Sequence, residues 1–285
     1  MNQNLKMRIA TALIGVPVIL WILIAGGITG VTFFAWVISM GMLYEFCSFT
    51  FTLPDAKSKT VLALLFNTVI YGLNYGLGIG LSHAFLGLVP LLLFFAVFLF
   101  KVPTLQVLTP GQDQVEVLKK HIQELMALCF GFVYCGWLPL LLVKIREHQN
   151  GMLWVLLTLI VVWATDTGAY FAGKYFGNRK LFAAVSPKKT WEGAIGGTIL
   201  AVIISLIYVH FLLPSTELWE AALVLGIASV AAQVGDLCES LLKRAVNVKD
   251  SSGILPGHGG FLDRFDGVLF ALPIMNAYLW VFSGF

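Results

Sequence analysis

Residues 235–267 read GDLCESLLKRAVNVKDSSGILPGHGGFLDRFDG. Five acidic residues, five basic ones with His258 counted, and a glycine-rich loop sit inside a chain that is 59% hydrophobic. Asp236, Glu239 and Lys243 are spaced i, i+3 and i+7, which is one face of a helix. Asp263 and Asp266 are again three apart, and Pro256-Gly257-His258-Gly259-Gly260 lies between the two segments. Carboxylates from two elements can bracket a divalent cation. Glycines let backbone N–H groups turn inward around phosphate. The combination points to phosphate chemistry.

Around this stretch the chain is mostly hydrocarbon. With 285 residues, 12% of them charged, and a mean hydropathy of +0.88, it lies outside soluble composition and inside the polytopic membrane class. The expected fold is all-α, a single membrane domain over 1–285, with 1–150 mainly scaffold helices and 151–285 the catalytic helices and loops. A spanning helix needs about 20 apolar residues. Nine candidates satisfy that length: 9–27, 30–50, 60–80, 83–100, 122–143, 151–173, 190–213, 217–245 and 261–283. The third is the weakest, because four glycines and two asparagines lower its hydropathy and helix propensity. The first follows Lys6 and Arg8 as a signal peptide would. It is long for one, lacks a clean small-x-small site and is followed at once by another span, so it reads as a membrane helix. The connection from Lys101 to His121 reads as loop, or as a short interfacial helix from about Gln112. The four cysteines fall in apolar segments without metal-ligand spacing and read as small core residues.

Lys and Arg accumulate on cytoplasmic loops. In the nine-span arrangement 16 of the 18 lie on one side, and only Lys144 and Arg146 on the other. This places the N-terminus in the cytoplasm and the C-terminus outside. A carboxylate at the bilayer centre costs roughly 2.5 to 3.5 kcal/mol. Glu45, Asp166, Glu192, Asp236, Glu239, Asp263 and Asp266 nevertheless fall in the cytoplasmic halves of their spans, which suggests a polar cavity open to the cytoplasm. For Glu45 and Glu192 the reading that they simply reach interfacial water stands equally.

A second polar block, WATDTGAYFAGKYFGNRKLFAAVSPKKTWEG, covers Trp163 to Gly193. Asp166 sits among small residues that favour close helix packing. Ser186-Pro187 has the form of a helix start, with Ser as N-cap and Pro at the first position. Such a start attracts anions, and Lys188 and Lys189 add full charge.

Ser240, Lys243-Arg244, Lys249-Asp250, the Pro256 to Gly260 loop and Asp263-Arg264-Phe265-Asp266 together resemble the signature of the phosphatidate cytidylyltransferases, or CDP-diacylglycerol synthases. Ser186, Pro187, Lys189, Thr190, Glu192 and Gly193 extend the resemblance, and the two blocks make up about a quarter of the chain. Gly267 departs from it, since Ser is expected after the last aspartate. The resemblance implies CTP and phosphatidate as substrates and CDP-diacylglycerol and pyrophosphate as products. It also implies magnesium, with more than one cation per site, and a homodimer in the bilayer of the bacterial inner membrane. Asp236 and Asp263 are the expected principal metal ligands, both from facing helices and because the family's positions match, with Glu239, Asp166 and Asp266 as further ligands. Lys189, Lys243, Arg244, Lys249 and Arg264 are expected to hold phosphates, and Ser186, Lys188, Thr190, Gly257, Gly259 and Gly260 to line the substrate site. His258 could serve as phosphate donor or proton relay.

These residue types suit that reaction. The phosphate monoester of phosphatidate has a second pKa of about 6, so its oxygen is anionic without a strong general base. Neutralising and aligning charge are then the main tasks. An ion-coupled transporter would also bury carboxylates, but it predicts an internal repeat that the sequence lacks. The pattern of the CDP-alcohol phosphotransferases is absent, whereas a CTP-dependent polyprenol kinase stays open on residue chemistry alone. Nothing points to nucleic acid.

Overall fold

The computed structural model describes residues 13, 15, 17–51, 55–76, 114–255 and 259–282. Helices run over Gly27–Thr50 (α1), Ala56–Gly76 (α2), Gln114–Gly131 (α3), Leu140–Glu147 (α4), Gly151–Phe176 (α5), Trp191–Leu212 (α6), Leu218–Ala245 (α7) and Leu262–Phe282 (α8). A π-helical turn occupies Phe132–Trp137, and a two-stranded antiparallel hairpin pairs Lys180–Phe182 (β1) with Ser186–Thr190 (β2). Among the described residues six helical segments are long and apolar enough to cross a bilayer, namely Gly27–Thr50, Leu118–Glu147, Gly151–Phe176, Trp191–Leu212, Leu218–Ala245 and Leu262–Phe282. The chain is an integral membrane protein. Of the nine expected spans, 83–100 lies outside the described residues, and 9–27 is helical over 17–25. The third is the helix α2, with Asn67 and Asn74 in it, and it is not among the six.

Two compact units divide the chain. The larger holds residues 1–35 and 138–285, the smaller Trp36–Trp137. In the smaller unit Lys59 is only 8% exposed and pairs with Glu124 at 2.5 Å and Asp55 at 2.9 Å. Asn67 donates to Ser39 Oγ at 2.8 Å. Lys59, read from sequence as a loop charge, is therefore an internal tie, and Glu45 is fully buried in this unit. The polar piece from Gln114 is not a separate interfacial helix or loop, since it runs on as helix to Gly131.

In the larger unit α5 and α6 form the closest helix pair, through small residues. A Cβ on Gly168 would lie 2.9 Å from Gly196 O and Gly197 Cα, and one on Gly197 2.7 Å from Thr165 O. Backbones that approach this closely gain dispersion energy that lipid tails cannot supply. On the outer side of α6, Ile195, Ile199, Ile203, Ile207 and Phe211 recur every four residues and are each more than half exposed. Such a stripe suits hydrocarbon solvent. α7 and α8 pack as an antiparallel pair against this core. Gly267 of α8 stands where a Cβ would come within 3.2 Å of Val162 and 3.3 Å of Ala232 O. Helix contact thus accounts for glycine at the one position that departs from the signature.

The expected helix start at Ser186-Pro187 is not formed. Ser186–Thr190 is a strand, and α6 begins at Trp191 with Thr190 as N-cap, its side chain accepting from Gly193 N at 3.1 Å. Pairing with Lys180–Phe182 gives this backbone partners that a longer helix would forgo, and Pro187 is tolerated because the ribbon has only edges. Trp191 N donates to Arg179 O at 3.0 Å, which fastens the helix start to the hairpin.

Candidate active site

Helix direction brings the two polar blocks together. α5 and α7 end, and α6 and α8 begin, at the same end of the larger unit, so residues distant in sequence share one level. There a cavity of about 350 Å³ is lined by Asp166, Tyr170, Lys174, Lys188, Lys189 and Gln233, with Thr190 and Gly193 in its wall. Lys189 reaches from β2 to Asp236 on α7, with Nζ to Oδ2 at 2.5 Å. Asp166 lies within the electrostatic reach of Asp236, Lys189 and Arg264, and Asp266 within that of Asp236, Glu239 and Asp166.

One helical turn along α7 stands the second cluster. Lys243 Nζ lies 2.6 Å from Glu239 Oε2 and 2.6 Å from Asp263 Oδ1. The other oxygen of Asp263 accepts from Ser251 N at 3.0 Å, Ser251 Oγ at 2.9 Å and Gly260 N at 2.9 Å. Its reach back to Gly260, three residues earlier, resembles the returning bond of a capping box. Asp263 therefore ties Ser251, within the loop between α7 and α8, to Gly260 near the loop's end. Gly259 beside it has φ +80°, and a Cβ there would lie 3.0 Å from Asp263 Oδ2, so both conformation and space require glycine. Asn247, at φ 56°, turns the chain out of α7.

The donor set suits a hard divalent cation, because all five carboxylates offer oxygen ligands. Glu239 is 1% exposed, and its Oε1 is buried without a hydrogen-bond partner among the described residues. That atom is a ligand in want of a positive partner. As arranged, Lys189 pairs with Asp236, and Lys243 with both Glu239 and Asp263. Among the described residues no three His, Cys, Asp or Glu side chains form a ready-made metal site. The oxygen-rich chemistry of the residues fits Mg²⁺.

The sequence profile of the cytidylyltransferase family matches residues 6–282. The chain belongs to this family. Among curated relatives it is 43% identical over 153 residues to the phosphatidate cytidylyltransferase of Bacillus subtilis strain 168, covering 53% of this chain and 56% of that one. The same named protein of Staphylococcus haemolyticus is 46% identical over 132 residues, 46% of this chain and 51% of that one. That of Haemophilus influenzae is 44% identical over 137 residues, 47% and 48%. The chain thus spans about half the length of the curated relatives it matches.

Of the site residues expected from the sequence, the fold gathers Asp166, Lys188, Lys189, Thr190, Asp236, Glu239, Lys243, Asp263, Asp266, Gly259 and Gly260 around the cavity and the loop. Ser186 pairs with Phe182 in the hairpin. Arg244, Lys249 and Arg264 are exposed, and Arg244 Nη1 donates to Val248 O at 3.3 Å. Gly257 and His258 lie outside the described residues. Glu192 does not line the cavity, because its carboxylate accepts from the backbone N–H groups of Asn178 and Arg179 at 3.0 to 3.2 Å. Ser251 and Gln233 are not singled out by sequence reasoning. Ser251 has no signal beyond loop composition. Gln233 had one, an amide three residues before Asp236 in an otherwise apolar run.

Proposed function

We propose that the protein transfers CMP from CTP to phosphatidate, releasing pyrophosphate and forming CDP-diacylglycerol. The observation that carries this reading is the Lys189–Asp236 pair, which joins the two polar blocks of a cytidylyltransferase-family chain beside a nucleotide-sized cavity. Lys188, Lys189 and Lys174 on the cavity wall would bind the triphosphate, and the exposed Lys249, Arg244 and Arg264 the departing pyrophosphate or the lipid phosphate. A phosphatidate oxygen attacks the α-phosphorus in line and the bond from that phosphorus to the oxygen bridging to the β-phosphate breaks, and with a second pKa of about 6 the lipid monoester is already mostly a dianion at neutral pH, so no proton has to be removed. Asp236 and Asp263, with Glu239, Asp166 and Asp266 behind them, would hold Mg²⁺. Bound there, Mg²⁺ would supply charge stabilisation at the phosphoryl oxygens. The glycines at 259 and 260 keep the loop close to Asp263, to which the Gly260 N–H donates at 2.9 Å. Purified protein given CTP labelled in its α-phosphate, phosphatidate and Mg²⁺ should place label in lipid. Label that stays in water-soluble products would overturn the assignment.

The same reading sets the cavity open to the cytoplasm of a bacterial inner membrane, with the N-terminus inside and the C-terminus outside, on the 16 to 2 division of charge. The homodimer that the resemblance implies belongs to the same proposal. Single cysteines at Ser58 and Ser252 should resist an impermeant maleimide in intact cells, while one at Ser215, at the other end of α6 and α7, should be labelled. Labelling of either of the first two from outside would reverse the topology.

Phosphate binding by Lys189, Lys249 and Arg264 can be separated from a purely topological role. A charge-assisted hydrogen bond is worth about 1.5 to 3 kcal/mol, so replacing each by Gln should lower kcat/KM for CTP or phosphatidate roughly tenfold to a hundredfold. Lys57→Gln removes an equal inside charge and should have no such effect. Equal damage from Lys57→Gln would mean that these charges act through insertion or folding.

A further inference from the structure

We propose that Gln233 reads the nucleobase, its side-chain oxygen accepting a hydrogen bond from the 4-amino group of cytosine and thereby favouring CTP over UTP. The proposal rests on the nucleotidyl-transfer reading above. Gln233 lines the cavity. Its Nε2 lies 3.0 Å from Thr198 Oγ1 and 3.3 Å from the backbone oxygen of Ala194, both on α6. A backbone carbonyl can only accept, so the amide is fixed with its NH₂ toward α6, and the flip that often leaves Gln ambiguous is excluded. Thr198 is held in turn, 3.2 Å from Ser229 Oγ, which lies 2.7 Å from Thr165 Oγ1. Ser229 and Thr165 are fully buried. Three helices therefore brace one amide, a costly arrangement in hydrocarbon unless the group is used.

The bracing leaves the amide oxygen as the part available to the cavity, and it has no hydrogen-bond partner among the described residues. It asks for a donor. The phosphate of phosphatidate, as a dianion, has none to give. CTP has the 4-amino group and the ribose hydroxyls. Gln233 stands three residues, about 4.5 Å along the axis, before Asp236. Phosphates held near Lys189 and Asp236 would thus bring the nucleoside to it. A hydroxyl both donates and accepts and needs no fixed amide, whereas a fixed acceptor selects a group that donates only. Uracil offers a carbonyl oxygen at that position, and two acceptors facing each other repel.

The test uses the full chain in detergent, comparing CTP, UTP, dCTP and the triphosphate of 2-pyrimidinone riboside, which is CTP without its 4-amino group. Wild-type protein should prefer CTP over the deaminated analogue at least tenfold in kcat/KM. Gln233→Met should lose at least tenfold with CTP and little with UTP or the analogue, collapsing the preference. Thr198→Val, which releases the amide while keeping volume, should narrow the preference in the same direction and serves if Gln233→Met fails to insert. An unchanged CTP preference in the variants, with all nucleotides losing equally, would overturn the proposal and make Gln233 a packing residue. A loss specific to the comparison of CTP with dCTP would assign its oxygen to the ribose and overturn it too. Wild-type protein that moves no cytidylyl group to phosphatidate would instead sink the underlying reading, so the two failures are distinguishable.

Discussion

Asp236→Asn and Asp263→Asn are each expected to reduce nucleotidyl transfer at least about a hundredfold at saturating Mg²⁺, because each removes an anionic oxygen donor while keeping size. Their structural consequences should differ. Asp236 meets Lys189 and, weakly, Ser240 at 3.5 Å, so its amide variant should fold and insert normally. Asp263 holds Lys243, Ser251 and Gly260 at once, and an amide can accept only through its one carbonyl oxygen. Asp263→Asn should therefore also loosen the loop between α7 and α8, seen as faster proteolysis within residues 246–261. Near-normal activity in either variant would reject that residue as a principal ligand. Loss of activity in Asp263→Asn with unaltered protease resistance would separate its chemical role from its structural one.

Lys243→Met should be the most destabilising single change at the site. Its ammonium is the shared partner of Glu239 and Asp263, whose side chains are 1% and 11% exposed. Removing one partner of a buried ion pair costs about 3 to 5 kcal/mol, since a charge is left without compensation. Here two carboxylates would be left facing each other. The expected result is a large fall in the unfolding temperature in detergent, or little protein recovered from the membrane. Adding Glu239→Gln removes one of the stranded charges and should restore much of the stability without restoring activity. If Lys243→Met is as stable as wild type, the cluster is solvated more fully than its burial indicates. If the double variant is no better than the single, the defect does not arise from stranded charge.

Much of the architecture was legible because bilayer solvent imposes a simple code: long apolar runs become helices, and carboxylates within them mark a site. Spans 151–173, 190–213, 217–245 and 261–283 emerge as helices within a few residues of their expected bounds, since every backbone polar group in lipid must be paired within its own segment. Misreadings fell where local patterns compete. Ser186-Pro187 suits a helix N-terminus and a strand equally, and only pairing with Lys180–Phe182 decides for the strand. Glu192 and Asp236 both read as carboxylates in the cytoplasmic halves of their spans, Asp236 the deeper of the two. One binds the backbone of the turn at Asn178 and the other meets Lys189, a difference made by where α5 and α6 place their ends.

By itself the sequence determined the class of solvent, the family and the short list of charged groups, because hydropathy, spacing and residue type are local properties. It could not determine which charge meets which. That Lys243 serves two carboxylates, that Asp263 ties Ser251 to Gly260, and that the Gln233 amide is held on α6 depend on contacts between residues far apart in the chain. Those contacts exist only once the small residues of α5 and α6 let their backbones touch and α7 and α8 fold back at the same level.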